Sequence, residues 1–152
     1  MELGDRRAMV VLMADDDGDD RDITRDALAR VSPDSQTCFV SDGRELLDYL
    51  RGEGDYAEST SATVSPDLIL LDLNMPRMSG SEALAELKAD TALKSIPIVV
   101  FSTSSRPDDV SKCYRLGANS YITKPSGFRE LVETMGAFHS YWSEVVDLPH
   151  GQ

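Results

Sequence analysis

Two short apolar runs in this sequence end in carboxylates. Met9-Val-Val-Leu-Met-Ala14 runs into Asp15-Asp16-Asp17-Gly18, and Asp67-Leu-Ile-Leu-Leu runs into Asp72-Leu-Asn74-Met-Pro76. A wholly apolar run of this length reads as a strand buried on both faces, which delivers the following acid to the rim of a sheet. Ile96-Pro-Ile-Val-Val-Phe101 likewise ends at Ser102, and Ser120-Tyr-Ile-Thr123 leads to Lys124. If these strands are parallel and adjacent, the five polar groups converge at one edge, where open parallel sheets bind ligands. Crowded carboxylates repel, and a divalent cation relieves them. Oxygen-only ligands select Mg²⁺, Ca²⁺ or Mn²⁺ over Zn²⁺, and Mg²⁺ keeps room for water and phosphate oxygens. Lys124 and the Ser102 hydroxyl then suit the remaining oxygens of a phosphoryl group. Asp72 is placed as the nucleophile that forms an acyl phosphate.

The elements that must position these groups alternate along the chain. After the first strand, Ile23, Ala27, Leu28 and Val31 recur at helical spacing and stop before Pro33, with six acids between Asp15 and Asp22 at the favourable end of the helix dipole. Gln36 to Val40 reads as a second strand. Asp42-Gly-Arg-Glu45 is a capping-box pattern opening a helix that Gly52 ends. Leu68 to Leu71 is the third strand, and the helix after Gly80 turns Leu84 and Leu87 inward. Pro107 suits the first turn of a helix carrying Val110, Cys113 and Tyr114 inward and ending at Gly117. Ser120 to Thr123 is the fifth strand. Phe128, Leu131, Val132, Met135, Phe138, Trp142, Val145 and Val146 keep a helical period for about five turns. Five strand–helix units in series predict an α/β fold, a (βα)5 doubly wound parallel sheet with an extended C-terminal helix. Its last turns carry Phe138, Tyr141 and Trp142 past the sheet, where exposed aromatic residues mark an interface, here a homodimer or a partner contact.

At 152 residues the chain suits one domain, 1–152, with a core of about 9–142 and a helical extension to about 147. The Gly-, Ser- and Thr-rich stretch from Gly52 to Ser65 reads as a surface loop. A net charge of −12 argues against nucleic acid or an anionic membrane as partner. No apolar leader or span is legible, which points to the cytoplasm. Cys38 and Cys113 form no metal-binding spacing and read as small core residues. His139 and His150 read as surface residues, far along the chain from the acids.

These residues resemble the receiver domain of two-component response regulators. The resemblance runs from about Met9 to Trp142 and rests on four features in register: Asp15-Asp16; Asp72-Leu-Asn74-Met-Pro76 with Ser79-Gly80; Ser102; and Tyr121-Ile-Thr-Lys124-Pro125. It implies a flavodoxin-like sheet in strand order 2-1-3-4-5 and a phosphoryl group accepted on Asp72 from a sensor histidine kinase. Under it Asp16 ligates Mg²⁺ directly, Asp15 acts through water, Asp72 and the Asn74 carbonyl complete the site, and Thr103 joins Ser102 and Lys124 around the phosphate. Ser102 and Tyr121 resemble the switch pair, Pro125 implies a cis bond after Lys124, and the chain is a regulator rather than an enzyme. With no output module legible, the signal leaves through protein contacts around the last two helices.

A narrower resemblance, to single-domain regulators paired with bacterial phytochrome kinases, rests on four segments. They are the Gly52–Ser65 loop, Ser102 to Ser104, Asn119 to Pro125 and the aromatic tail ending at Trp142. Thr103 departs from the smaller Ala usual there, and Ser104 and Asn74 hold positions the family uses to tune loss of phosphate. Two other classes compete. A pseudo-receiver would bind partners without phosphate. A haloacid-dehalogenase-type phosphatase would use Asp15-Asp16-Asp17-Gly18 as its Asp-x-Asp motif, but no acidic pair follows Lys124 on a further strand. Asp17, Asp19 and Asp20 read as solvated helix-start charges.

Overall fold

A computed structural model describes residues 8–57 and 65–149. The strands are β1 (Val10–Ala14), β2 (Gln36–Val40), β3 (Leu68–Leu71), β4 (Ile98–Ser102) and β5 (Ser120–Thr123). They alternate with the helices α1 (Gly18–Val31), α2 (Gly43–Arg51), α3 (Gly80–Ala89), α4 (Pro107–Arg115) and α5 (Phe128–Ser140). Every neighbouring pair is parallel, in the order β2-β1-β3-β4-β5, which is the doubly wound arrangement expected. Residues 58–64 of the predicted surface loop, and His150, lie outside the described residues.

The uninterrupted apolar strands are buried on both faces, as their sequences require. One face of β1, β3 and β4 sends Leu12, Ile69, Leu71 and Val100 onto Leu46 and Leu47 of α2, Leu84 and Leu87 of α3, and Cys113 of α4. The other sends Val11, Met13, Leu70 and Phe101 onto Leu28 of α1 and Leu131, Met135 and Phe138 of α5. Register then aligns the strand ends. Ala14 lies opposite Leu71, so Asp15 and Asp72 leave neighbouring strands side by side.

Local signals fix the helix starts. Asp17 caps α1 by accepting from the Asp19 and Asp20 N–H groups. Asp42 caps α2 by accepting from Glu45, but the Glu45 carboxylate reaches back to the Ser41 N–H, one residue beyond the position a reciprocal box requires. The reciprocal box occurs instead on α3, between Ser79 and Glu82. Gly52 closes α2 in the left-handed region at φ 67°, and Gly117 follows α4 at φ 110°.

Several expectations need correction. Ile23 is 44% exposed and Tyr114 49%, so the inward stripes of their helices are narrower than the sequence period implied. Thr24 takes the inward place on α1. The fourth strand starts at Ile98, after Pro97, which cannot donate to the ladder. The closing helix is α only to Ser140. Tyr141–Val145 forms a π turn whose last bond runs from the Val146 N–H to the Tyr141 carbonyl. The extra residue in that turn breaks the 3.6 period, leaving Val145 69% exposed and Trp142 packed against the α1–α5 side of the core. Among the described residues no peptide bond is cis, so Lys124–Pro125 is trans, the isomer favoured intrinsically even before proline.

Candidate functional site

The carboxyl ends of β1, β3, β4 and β5 bring the sequence-predicted groups together. Asp15 is fully buried, Asp72 is 8% exposed and Asp16 faces solvent. Oxygens from the three lie within 4.8 Å of one another. Lys124 Nζ enters this cluster, 2.8 Å from Asp15 Oδ2 and 3.8 Å from Asp72 Oδ2. It also stands 5.8 Å from the centre of the Phe101 ring, whose face favours a cation. Asp72 accepts hydrogen bonds from the N–H groups of Leu73, at 2.9 Å, and Asn74. The Asn74 side chain itself is exposed.

Electrostatics separates the two inner groups. Burial pushes the Asp72 carboxyl up to about 6; Lys124 pulls it down, Asp15 pushes it up further, and the Leu73 and Asn74 N–H groups pull it down. Burial also works against the Lys124 charge, but hydrogen bonds to Asp15 and Asp20 and the neighbouring carboxylates outweigh it and hold the ammonium above its usual range. One ammonium among Asp15, Asp16, Asp20 and Asp72 leaves an excess of negative charge. That imbalance, together with an all-oxygen donor set, fits a hard divalent cation.

Asp20 is the residue that sequence reasoning missed. It pairs with Lys124 at 2.9 Å and is not a freely solvated charge. The signal was present in the cap: with Asp17 as N-cap, Asp20 occupies the third helical position, whose side chain turns back towards the strand ends. Asp19 does remain exposed.

Ser102 is fully buried at the end of β4, and its Oγ accepts from the Ser104 N–H at 3.3 Å. Thr103 is exposed beside it. The Tyr121 hydroxyl donates to the Ser104 carbonyl at 2.7 Å, and the Ser104 hydroxyl donates to Asp109 at 2.5 Å. Ser102 and Tyr121 therefore share one loop, which is latched to α4. Pro125 lines a cavity of about 350 Å³ with Asp20, Ile23, Lys124 and Phe128.

The aromatic tail belongs to another region. Phe138 is 4% exposed and serves the core, whereas Tyr141 is 52% exposed. Tyr141 and Trp142 meet edge to face, 5.2 Å between ring centres, above a groove of about 600 Å³ that Ile122 and Thr134 also line.

The sequence matches the profile of the response regulator receiver domain over residues 11–136. The chain belongs to this family. Response regulator Rcp1 of Synechocystis sp. is 36% identical over 140 residues, covering 92% of both chains. Among solved structures, the phosphorylated cyanobacterial phytochrome response regulator RcpA superposes with a TM-score of 0.85 at 38% identity, covering 94% of this chain and 99% of that one. The Mn²⁺-bound form of Rcp1 superposes with a TM-score of 0.83 at 35% identity, covering 93% and 99%. This receiver is thus a response regulator similar to those of cyanobacterial phytochromes, and membership of that family sets aside the phosphatase alternative. No helix among its described residues is long and apolar enough to cross a membrane.

Proposed function

We propose that this receiver accepts a phosphoryl group on Asp72 from the phosphohistidine of a sensor kinase. The observation that carries the reading is the convergence of Asp72, Asp15, Asp16 and Lys124 at the rim. An Asp72 oxygen attacks phosphorus as the N–P bond to the donor histidine breaks, leaving an acyl phosphate. Lys124, freed from its contact with Asp72, moves its charge to a phosphoryl oxygen, and the Ser102 hydroxyl turns from Ser104 to another. Thr103, exposed at the mouth, supplies its backbone to the third. Asp15, Asp16, Asp72 and the Asn74 carbonyl are the groups to hold Mg²⁺, which when bound neutralises the developing charge. The chain catalyses only its own phosphorylation and dephosphorylation.

The departure of Ser102 removes the acceptor of the Ser104 N–H and so bears on the loop that Tyr121 holds. Phosphate shifts a pre-existing equilibrium of that loop by the contacts it adds in one state. Similarity to RcpA and Rcp1 supports a phytochrome-type kinase as the donor, in the cytoplasm. Tyr141, exposed above an apolar groove, supports a homodimer through the end of α5 with Trp142 and the edge of Phe138 beneath.

Intact mass after acetyl phosphate and Mg²⁺ tests the chemistry. Wild type gains one phosphate only with Mg²⁺, and Asp72→Asn gains none. An unmodified wild type that also fails to bind fluoroberyllate would leave a pseudo-receiver.

A further inference from the structure

The corner between β2 and α2, far along the chain from every residue named for the pocket, touches both acid-bearing loops. Arg21 Nη1 donates to the Asp15 carbonyl and to Ser41 Oγ, each at 3.0 Å. On the other side, Arg77 Nε and Nη2 donate to the two oxygens of Asp42 at 3.0 and 3.2 Å. Planar guanidinium–carboxylate pairing of this kind fixes direction as well as distance. Arg77 is also the one non-glycine residue at positive φ, 63°, among the described residues. A side-chain-bearing residue persists there only when its surroundings hold it.

The corner is itself rigid. Asp42 caps α2, and the Gly43 N–H donates to the Met78 carbonyl at 2.9 Å, an approach so close that a Cβ at Gly43 would sit 2.6 Å from that oxygen. The Glu45 carboxylate accepts from the Ser41 N–H at 2.8 Å and from the Tyr56 hydroxyl at 2.6 Å. Ser41 and Asp42 are thereby pinned to α2, and each holds one arginine.

We propose that the Ser41–Asp42 corner braces both halves of the acidic pocket, with Arg21 and Arg77 as positioning residues that set its affinity for a divalent cation. This rests on the reading of the pocket given above. Arg21 fixes the peptide that carries Asp15. Arg77 fixes the loop whose Leu73 and Asn74 N–H groups hold the Asp72 carboxylate and whose Asn74 carbonyl would help hold the cation. Neither arginine touches the phosphoryl group, so loosening either one disorders the ligands without removing any.

Calorimetric titration with Mg²⁺ on the full chain tests this, paired with thermal melts and with acetyl phosphate labelling at low and saturating Mg²⁺. Arg21→Ala and Arg77→Ala each raise the Mg²⁺ Kd about tenfold, the size expected when a group orienting metal ligands is lost. Labelling of both recovers at saturating Mg²⁺. Arg77→Gly tolerates positive φ and melts closer to wild type than Arg77→Ala, yet binds Mg²⁺ as weakly. Arg21→Lys, keeping one donor, recovers part of the affinity; these two variants carry the test if an alanine variant fails to fold. An unchanged Kd in either alanine variant, wild-type affinity in Arg77→Gly, or no Mg²⁺ binding by wild type overturns the brace. If wild type binds Mg²⁺ but takes no phosphate, the phosphoacceptor reading fails while the brace stands.

Discussion

The acidic rim and the aromatic end of α5 are built on opposite principles. At the rim the inner side chains have several partners: Lys124 holds Asp15 and Asp20, and Asp72 takes two N–H groups from its own loop. At the aromatic end Tyr141 is 52% exposed and its described neighbours are an adjacent ring and a groove. A site that must hold charges in fixed places is over-determined by bonds. The aromatic end, proposed above as a dimer surface, is left short of them. The contrast predicts that substitutions that displace the rim's backbone cost both fold and chemistry, whereas at the tail the two costs separate by residue.

The sharpest break at the rim is Gly80→Ala. A Cβ there would lie 2.1 Å from the Asp72 carbonyl oxygen and 2.8 Å from Leu73 Cα. Neither is the movable end of a side chain, so the loop after Asp72 must itself shift. A loss of more than about 4 kcal/mol is expected, in the exceptional range for single substitutions. Urea unfolding measures it, and a loss below about 1 kcal/mol would show the rim to be softer than its bonds imply.

At the tail, Phe138 and Tyr141 are three residues apart and should behave oppositely. Phe138→Ala empties a site that is 4% exposed and costs about 3 to 4 kcal/mol. Tyr141→Ala removes an exposed ring, costs within about 0.5 kcal/mol, and shifts the sedimenting species from dimer to monomer. Equal stability losses would mean that the tail is core after all; an unaltered sedimentation profile would remove Tyr141 from the interface.

Legibility in the sequence follows the same division. Strand ends, and the convergence of Asp15, Asp16, Asp72, Ser102 and Lys124 once the strands are parallel and adjacent, were readable because apolar runs report burial and the residue after each run reports the rim. The strand order itself came only with the family resemblance. The partners of those groups were not. Asp20 was marked only by its place three residues after the Asp17 cap, and Arg21 and Arg77 sit among many surface charges, where only three-dimensional proximity separates a bonded side chain from a solvated one. Arg77 at positive φ is invisible to patterning, since its type gives no hint of the conformation. The tail misled for a different reason: one period ran through Phe138, Trp142 and Val145, but a π turn inserts a residue at Tyr141 and re-aims everything after it.

The mildest test separates the rim's two charges by pH. Burial raises the Asp72 carboxyl from 3.8 to about 6 in the folded chain without cation. A group with a raised folded pKa binds its proton more tightly when folded, so its contribution is full below about pH 4 and is lost as pH rises through about 6. Roughly two units correspond to about 2 to 3 kcal/mol at 1.36 kcal/mol per unit. In EDTA, Asp72→Asn should therefore match wild type near pH 4 and exceed its Tm increasingly up to about pH 7. Mg²⁺ should close the gap at pH 7.5 by stabilising the ionised wild-type carboxylate, which Asn lacks. A gap independent of pH would place the cost of Asp72 in packing rather than charge, and would weaken the case that the pocket awaits a cation.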